Sequence, residues 1–292
     1  MKVLSLGGTG MAGHTISIYF KEAGHDVTAF SRSKVDYCNS INGDIADFEK
    51  LKKIIKEGNY DAIINAIGIL NQDAEDNKSM AVLLNSYLPH FLSDVTKDMK
   101  TRIIHMSTDC VFSGKTGGYT ETSFRDGETF YDRSKALGEI ENSKDLTFRN
   151  SIIGPDMNER GIGLFNWFMK QDGQINGFTK TIWTGVTTLT LAKAMEQALK
   201  EDITGLYNLV NNKTISKYEL LELFNKYLKN NQLEILQSNK VSLDKSLINN
   251  RTDFSFKVPS YEEMIIDMKE WIDNHKELYP HYFDQVKKQG KN

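Results

Sequence analysis

Short apolar runs alternate with stretches of helical periodicity through the first half of the chain. "KVLSL" is a short run that ends in glycines. Met11, Ile16, Tyr19, Phe20 and Ala23 then recur at mostly helical spacing, the mark of one buried helix face. "HDVTAF" reads as a second strand, and Phe48, Leu51, Ile54 and Ile55 mark a second helix. "YDAIINAIG" is a further strand. Met80, Leu83, Leu84, Tyr87, Leu88, Phe91, Leu92 and Val95 predict one long amphipathic helix over 77–98. "TRIIHMS" is the next strand, followed by a glycine-rich loop, a helix beginning near Tyr131 and the strand "LTFRNSI". Strands alternating with helices predict an α/β fold of the Rossmann type, a doubly wound parallel sheet covered on both faces.

After residue 150 glycines break the rhythm. "TLTLAKAMEQALK" is helical and "GLYNLV" a strand, so the chain returns to the sheet over about 185–212. Two more helical patterns lie near Tyr218–Leu228 and Tyr261–Trp271. The expected organisation is a dinucleotide-binding domain over 1–150, with that return segment, and a smaller α/β substrate lobe built from 151–184 and 213–292. No internal repeat is visible.

Composition narrows the class. A net charge of -3 over 292 residues gives no case for nucleic acid or a membrane surface as partner. Hydrophobic content of 39% with 26% charged residues reads as globular. The two cysteines, Cys38 and Cys110, fit neither a metal nor a disulfide spacing, and with no apparent signal peptide a reducing cytoplasm is the expected setting. The histidines, His14, His105 and His281 among them, show no ligand spacing, so no metal is expected.

The first glycines carry chemistry. "LGGTGMAG" places Gly7, Gly10 and Gly13 between a strand and a helix, with Met11 and Ala12 in the opening helical turn. Such a turn fits a pyrophosphate: Gly7 makes the tight bend, Gly10 allows close backbone approach, Gly13 packs the helix near the sheet, and the helix N-terminus offers free N–H groups. The second strand ends "FSRSK", without the acidic residue that would bind the ribose hydroxyl of NAD. Ser31 and Arg32 suit a 2'-phosphate instead, which favours NADP with NAD as the alternative. Asp44 and Ile45 frame an adenine ring in one reading; in the other Asp44 caps the next helix. Ala66, Ile67 and Gly68 end a strand with residues small enough to let backbone lie along a cofactor.

"YDRSK" sets Tyr131 and Lys135 four residues apart, one helical turn. A phenol is a poor acid–base group at neutral pH. An ammonium about 4 Å away stabilises the phenolate by about 4 kcal/mol at an effective dielectric of about 20, which predicts a lowered tyrosine pKa. Upstream, Ser107, Thr108 and Asp109 end a strand at the sheet edge where ligands bind in such folds.

At these residues the sequence resembles the extended short-chain dehydrogenase/reductase family: a GxxGxxG turn, a Thr at a strand end and YxxxK some 25 residues on, here 23 from Thr108 to Tyr131. "STDCVFSGKTGGYTETS" and "YDRSKALGE" are similar to the pattern of dTDP-4-dehydrorhamnose reductases, strongly to residue 155 and loosely beyond. Cys110 stands where that pattern has Tyr, Asp132 where it has Gly, and "SFRDGETF" lacks a proline. The resemblance implies NADPH-dependent reduction at C4 of a 4-keto-6-deoxy sugar nucleotide, with Tyr131 as acid, Lys135 tuning it and holding the nicotinamide ribose, and Thr108 steadying the oxyanion. Ser107, Asp109 and Asn150 would line the substrate site, and Arg251 in "NNRTDF" would lie near a nucleotide phosphate. Trp183 either stacks a base or fills the second lobe. Asn85 and Pro89 match the family's helix pattern without derivable chemistry. A homodimer pairing the 77–98 and Tyr131 helices is one expected assembly. An epimerase reusing the same Tyr and Lys and a non-catalytic NADP-binding regulator remain open; Cys110, where a dehydratase would carry Glu, argues against dehydration.

Overall fold

The computed structural model describes residues 1–283. The first half runs β1 (Lys2–Leu6), α1 (Met11–Glu22), β2 (Asp26–Ser31), β3 (Asn39–Asn42), α2 (Phe48–Gly58), β4 (Ala62–Asn65), α3 (Asn71–Asp76), α4 (Lys78–Ala81), a π-helical turn (Val82–Tyr87), α5 (Leu88–Val95), β5 (Arg102–Met106), α6 (Phe130–Leu137) and β6 (Leu146–Arg149). The second half runs β7 (Ser151–Ile153), α7 (Leu164–Met169), β8 (Gln174–Trp183), β9 (Gly185–Thr187), α8 (Thr188–Lys200), β10 (Gly205–Asn208), β11 (Ile215–Ser216), α9 (Lys217–Leu228), β12 (Glu234–Asp244) and α10 (Tyr261–Asn274). Residues 284–292 of the expected second lobe lie outside the described residues.

Seven parallel strands form one sheet in the order β10-β6-β5-β4-β1-β2-β3. The order reverses between β1 and β4, and the carboxyl ends of strands beside such a reversal open a crevice for a ligand. Central strands are buried on both faces, as the unbroken burial of Val3 to Leu6 and Ala62 to Asn65 shows. On one face α1 and α8 pack through Ile16, Phe20, Leu191 and Met195; on the other α2 and α5 bury Leu51, Ile55, Leu88 and Leu92. Truncating a fully buried leucine such as Leu92 to alanine costs about 2–5 kcal/mol.

The return strand expected at "GLYNLV" is β10, paired with β6 at the sheet's far edge. Outside this sheet, β8 pairs β11 antiparallel and β12 parallel, with α9 laid across β8. β7 and β9 pair with each other. Edge strand β3, "NSIN", carries no apolar pattern and escaped the sequence reading, as did β8 and β12. The single helix expected over 77–98 is broken: six residues, Val82–Tyr87, take π-helical hydrogen bonding between α4 and α5. Such turns insert a residue into the helical register and re-aim side chains.

Candidate active site

The glycine turn after β1 takes the form its sequence demands. Gly7 has φ +94, in the left-handed region, where only glycine sits without steric cost. A Cβ on Gly13 would lie 2.1 Å from the Gly7 carbonyl oxygen, so α1 can approach the turn only without a side chain there. Gly10 is the helix N-cap, with no side-chain cap and no acidic residue in the first turn. The free N–H groups and the positive end of the helix dipole therefore lie at the cleft that Gly10, Met11 and Ala12 line, an arrangement that fits a pyrophosphate. Tyr37, which no sequence signal had marked, covers the turn by donating its hydroxyl to the Gly8 carbonyl.

A cleft of about 440 Å³ runs from this turn along the strand ends. Gly10, Met11 and Ala12 line one end, and Ala66, Ile67 and Gly68 line the wall after β4. Ser107, Thr108, Asp109, Tyr131, Lys135 and Asn150 line the remainder. The residues read as catalytic from sequence thus share one cavity with the glycine turn.

Helix α6 presents two of them, and its start is held from three directions. Thr129 and Asp132 form a reciprocal capping box, with Asp132 N donating to Thr129 Oγ1 at 3.1 Å and Thr129 N to Asp132 Oδ2 at 3.2 Å. Asp132, the departure from the glycine of the resembled pattern, thus caps the helix. Glu75 of α3 accepts from Phe130 N and Tyr131 N at 2.7 and 3.2 Å. Asn85, in the π-helical turn, donates to Ser134 Oγ at 3.0 Å and to Ile69 O at 2.9 Å, and accepts from Ile69 N at 2.9 Å. One side chain thus ties the loop after β4 to the helix of Tyr131, a role that the sequence alone does not reveal.

Below the site, Glu139 and Arg149 form a buried ion pair. Arg149 Nη2 lies 2.6 Å from Glu139 Oε2 and Nε 2.8 Å from Oε1, with both side chains almost wholly inaccessible. Arg125 also pairs with Glu139, and the Arg149 guanidinium lies 4.9 Å from the centre of the Phe112 ring. Ser107 donates to Glu139 Oε1 at 2.6 Å, so this network fixes the strand end that carries Thr108. Burial pushes the Glu139 carboxyl up, but the hydrogen bonds and charge of Arg149, with help from Arg125 and Ser107, hold it below its ordinary range.

The electrostatics of the Tyr–Lys pair differ from the sequence expectation. The Tyr131 pKa is raised rather than lowered: burial acts most, Cys110, Asp109 and Asp132 add to it, and the Thr108 hydroxyl opposes them. Lys135 Nζ is engaged by Met106 O at 2.6 Å. Burial lowers Lys135 itself to about 8, with Glu139 pulling the other way. Desolvation is the largest cause at both groups and disfavours the charged form of each, the phenolate and the ammonium alike. Cys110, beside them, is pushed up to about 12, chiefly by burial.

Other expected residues lie elsewhere. Arg251 does not reach the cleft. It donates to Thr204 O at 2.6 Å and Leu206 O at 2.9 Å, pairs with Asp253, and lines a separate cavity with Tyr207 and Asn249. A guanidinium saturated by the carbonyls beside β10 is spent on structure. Trp183 does not line the cleft either: it is 3% exposed, packs on Tyr261 and donates to Ser151 Oγ at 2.8 Å, so it fills the interior. Ile45 is buried in the apolar cluster under α2, and Asp44 accepts from Ala46 N at 2.9 Å; the cap of α2 is Asp47. Ser31 is buried, and its hydroxyl donates to Ser33 O at 2.6 Å. Arg32 is exposed just beyond the end of β2. Asn150 is buried on the cleft wall with its Oδ1 unpartnered. Lys217, the first residue of α9, also lines the cleft and was not foreseen, because a lysine opening a helix carries no distinctive spacing.

Both cysteines are free thiols. Among the described residues no group of three or more His, Cys, Asp or Glu is arranged to hold a metal ion, and no helix is long and apolar enough to cross a membrane.

A parallel sheet with a glycine turn at its reversal point, and Thr, Tyr and Lys facing the same crevice, defines the class as a Rossmann-type protein of the extended short-chain dehydrogenase/reductase kind. The RmlD substrate binding domain family matches residues 1–242, and the chain belongs to that family. The dTDP-4-dehydrorhamnose reductase of Mycobacterium tuberculosis is 30% identical over 144 residues, 47% of this chain and 44% of that protein, so the chain spans about half the length of this relative. The dTDP-4-dehydrorhamnose reductase of Escherichia coli is 26% identical over 234 residues, 76% of this chain and 77% of that protein. The dTDP-4-dehydrorhamnose reductase of Bacillus anthracis, solved in complex with NADP, shares the fold with a TM-score of 0.77 at 19% identity, over 91% of this chain and 98% of that one.

Proposed function

We propose that this protein reduces the C4 carbonyl of a 4-keto-6-deoxy sugar nucleotide, using NADPH. The observation that carries this reading is the convergence of Thr108, Tyr131 and Lys135 on one cleft with the glycine turn. Family membership and the reductase names of the relatives support it. The NADP complex of the Bacillus anthracis protein supports the cofactor.

The residues fit a dinucleotide. The uncapped N-terminus of α1 suits the pyrophosphate, Ala66–Gly68 line the cleft just after β4, and the Lys135 ammonium, which also lines the cleft, would donate to a ribose hydroxyl. When bound, NADPH supplies the hydride that goes to the carbonyl carbon. Thr108 donates a hydrogen bond to the carbonyl oxygen and polarises it. Tyr131 delivers its hydroxyl proton to that oxygen as negative charge develops there, a positioned acid worth roughly 10²–10⁴ in rate. Its raised pKa keeps the phenol protonated and ready to donate. The Lys135 ammonium steadies the phenolate left behind.

The experiment is an NADPH oxidation assay against a panel of 4-keto-6-deoxy sugar nucleotides carrying dTDP or UDP. Stoichiometric oxidation by the native protein, with Tyr131→Phe losing turnover while still binding NADPH, is the expected result. Turnover by Tyr131→Phe at the native rate would reject the assignment. Conversion of substrate without net NADPH consumption would make the protein an epimerase.

A further inference from the structure

Lys217 stands out among the cleft residues. It is half-buried at the first position of α9, its Nζ 5.2 Å from the centre of the Trp183 ring. Within the described residues no hydrogen bond satisfies its ammonium. Its charge acts on Asp109 and Cys110, the two residues that follow Thr108 in the chain. In the same cleft Asn150 Oδ1 is buried without a donor, while its Nδ2 is spent on Ser151 O at 3.3 Å. The cleft thus holds a donor with no acceptor and an acceptor with no donor. A partly desolvated cation and a buried amide oxygen are costly unless a ligand completes them. A sugar ring does so, because each hydroxyl both accepts and donates.

We propose that Lys217 is a substrate-binding residue, donating from Nζ to an oxygen on the sugar ring beside the carbonyl that Thr108 and Tyr131 address. This rests on the sugar-nucleotide reading above. The location decides between sugar and pyrophosphate. The charge of Lys217 reaches Asp109 and Cys110, next to Thr108 at the strand end, whereas the free N–H groups at the start of α1 suit the cofactor's phosphates. Burial lowers Lys217 to about 8, which leaves it mostly charged at neutral pH and ready for an acceptor.

The test is calorimetric titration at pH 7 with saturating NADP+, which permits binding without reduction. The probes are dTDP-4-keto-6-deoxyglucose and its UDP counterpart, alongside dTDP and UDP alone. Lys217→Met keeps the stem over Trp183 and removes the donor. It is expected to weaken keto-sugar nucleotide binding by about 10- to 100-fold while free dTDP or UDP changes by less than about twofold. Lys217→Arg, which keeps the charge, is expected to fall between the native protein and Lys217→Met. Unchanged binding of the keto-sugar nucleotide by Lys217→Met overturns the assignment. Equal weakening of the free nucleoside diphosphate also overturns it, since Lys217 would then read the pyrophosphate. Failure of the native protein to bind any probe while still binding NADP+ would reject the sugar-nucleotide reading itself, and this assignment with it.

Discussion

Asn85 and Ser134 are 49 residues apart in sequence, yet Asn85 Nδ2 lies 3.0 Å from Ser134 Oγ. The contact exists because the π-helical turn aims Asn85 at the helix that carries Tyr131. A Cβ on Gly138 would lie 1.8 Å from the Asn85 carbonyl oxygen, so the helices meet closely enough for the bond only because residue 138 is glycine.

Asn85→Leu removes this bond and both bonds to Ile69, leaving buried polar groups unpaired. The expected loss of stability is about 2–4 kcal/mol, read by urea denaturation. A drop in kcat should accompany it, because the helix of Tyr131 loses its tie to the loop after β4. A variant with native stability and native kcat would show that the clamp is ornamental.

Replacing Glu139 with Gln leaves the guanidinium of Arg149 buried without its counter-ion. The expected destabilisation is about 3–5 kcal/mol. The sign with pH follows from the lowered Glu139 pKa: its contribution is present above the ordinary carboxyl value of 4.5 and is lost as pH falls below that value through the folded-state pKa. The native protein should lose stability in that acid window, and Glu139→Gln should lose less there. Parallel acid profiles would exclude Glu139 as the source.

Two lysines in the cleft, Lys135 and Lys217, are lowered by burial to about 8. Rising pH therefore strips charge from the site well below the ordinary lysine range, and kcat/KM should fall as pH rises through about 8. This quantity reports the free protein. For stability the sign is opposite: the penalty of burying the two charges is present below about 8 and is relieved as pH climbs toward 10.5. Tyr131 does not produce the kinetic limb, because burial moves it upward. A kcat/KM profile flat to about pH 10 would contradict this account.

Arg32 is our candidate for reading the cofactor's 2'-phosphate. It is exposed at the end of β2, beside the strand whose neighbour carries the glycine turn. Arg32→Ala should weaken NADPH binding by about 10-fold or more, in line with a lost charge-assisted hydrogen bond, and leave NADH nearly unchanged. Fluorescence titration of both cofactors checks this; equal losses would mean that Arg32 does not read the 2'-phosphate.

The sequence by itself marked the glycine turn and every strand of the sheet except edge strand β3, and it nominated Thr108, Tyr131 and Lys135, which share one cleft in the structure. These are local matters: hydrophobic periodicity follows from which faces are buried, and a turn with φ +94 at Gly7 and backbone 2.1 Å from a Cβ at Gly13 requires glycine. It could not determine what depends on distant pairs. Arg251 looks like a ligand residue until β10 supplies the carbonyls that saturate it, and Trp183 until Tyr261 and Ser151 enclose it. Lys217 looks like an ordinary helix opener until α9 brings it to the cleft, where its charge acts on Asp109. The direction of the Tyr131 pKa likewise belongs to the tertiary structure. Charge spacing along one helix can be read from a string of letters, but desolvation depends on everything packed around the group, and at Tyr131 it is the largest cause, with Cys110, Asp109 and Asp132 acting in the same direction.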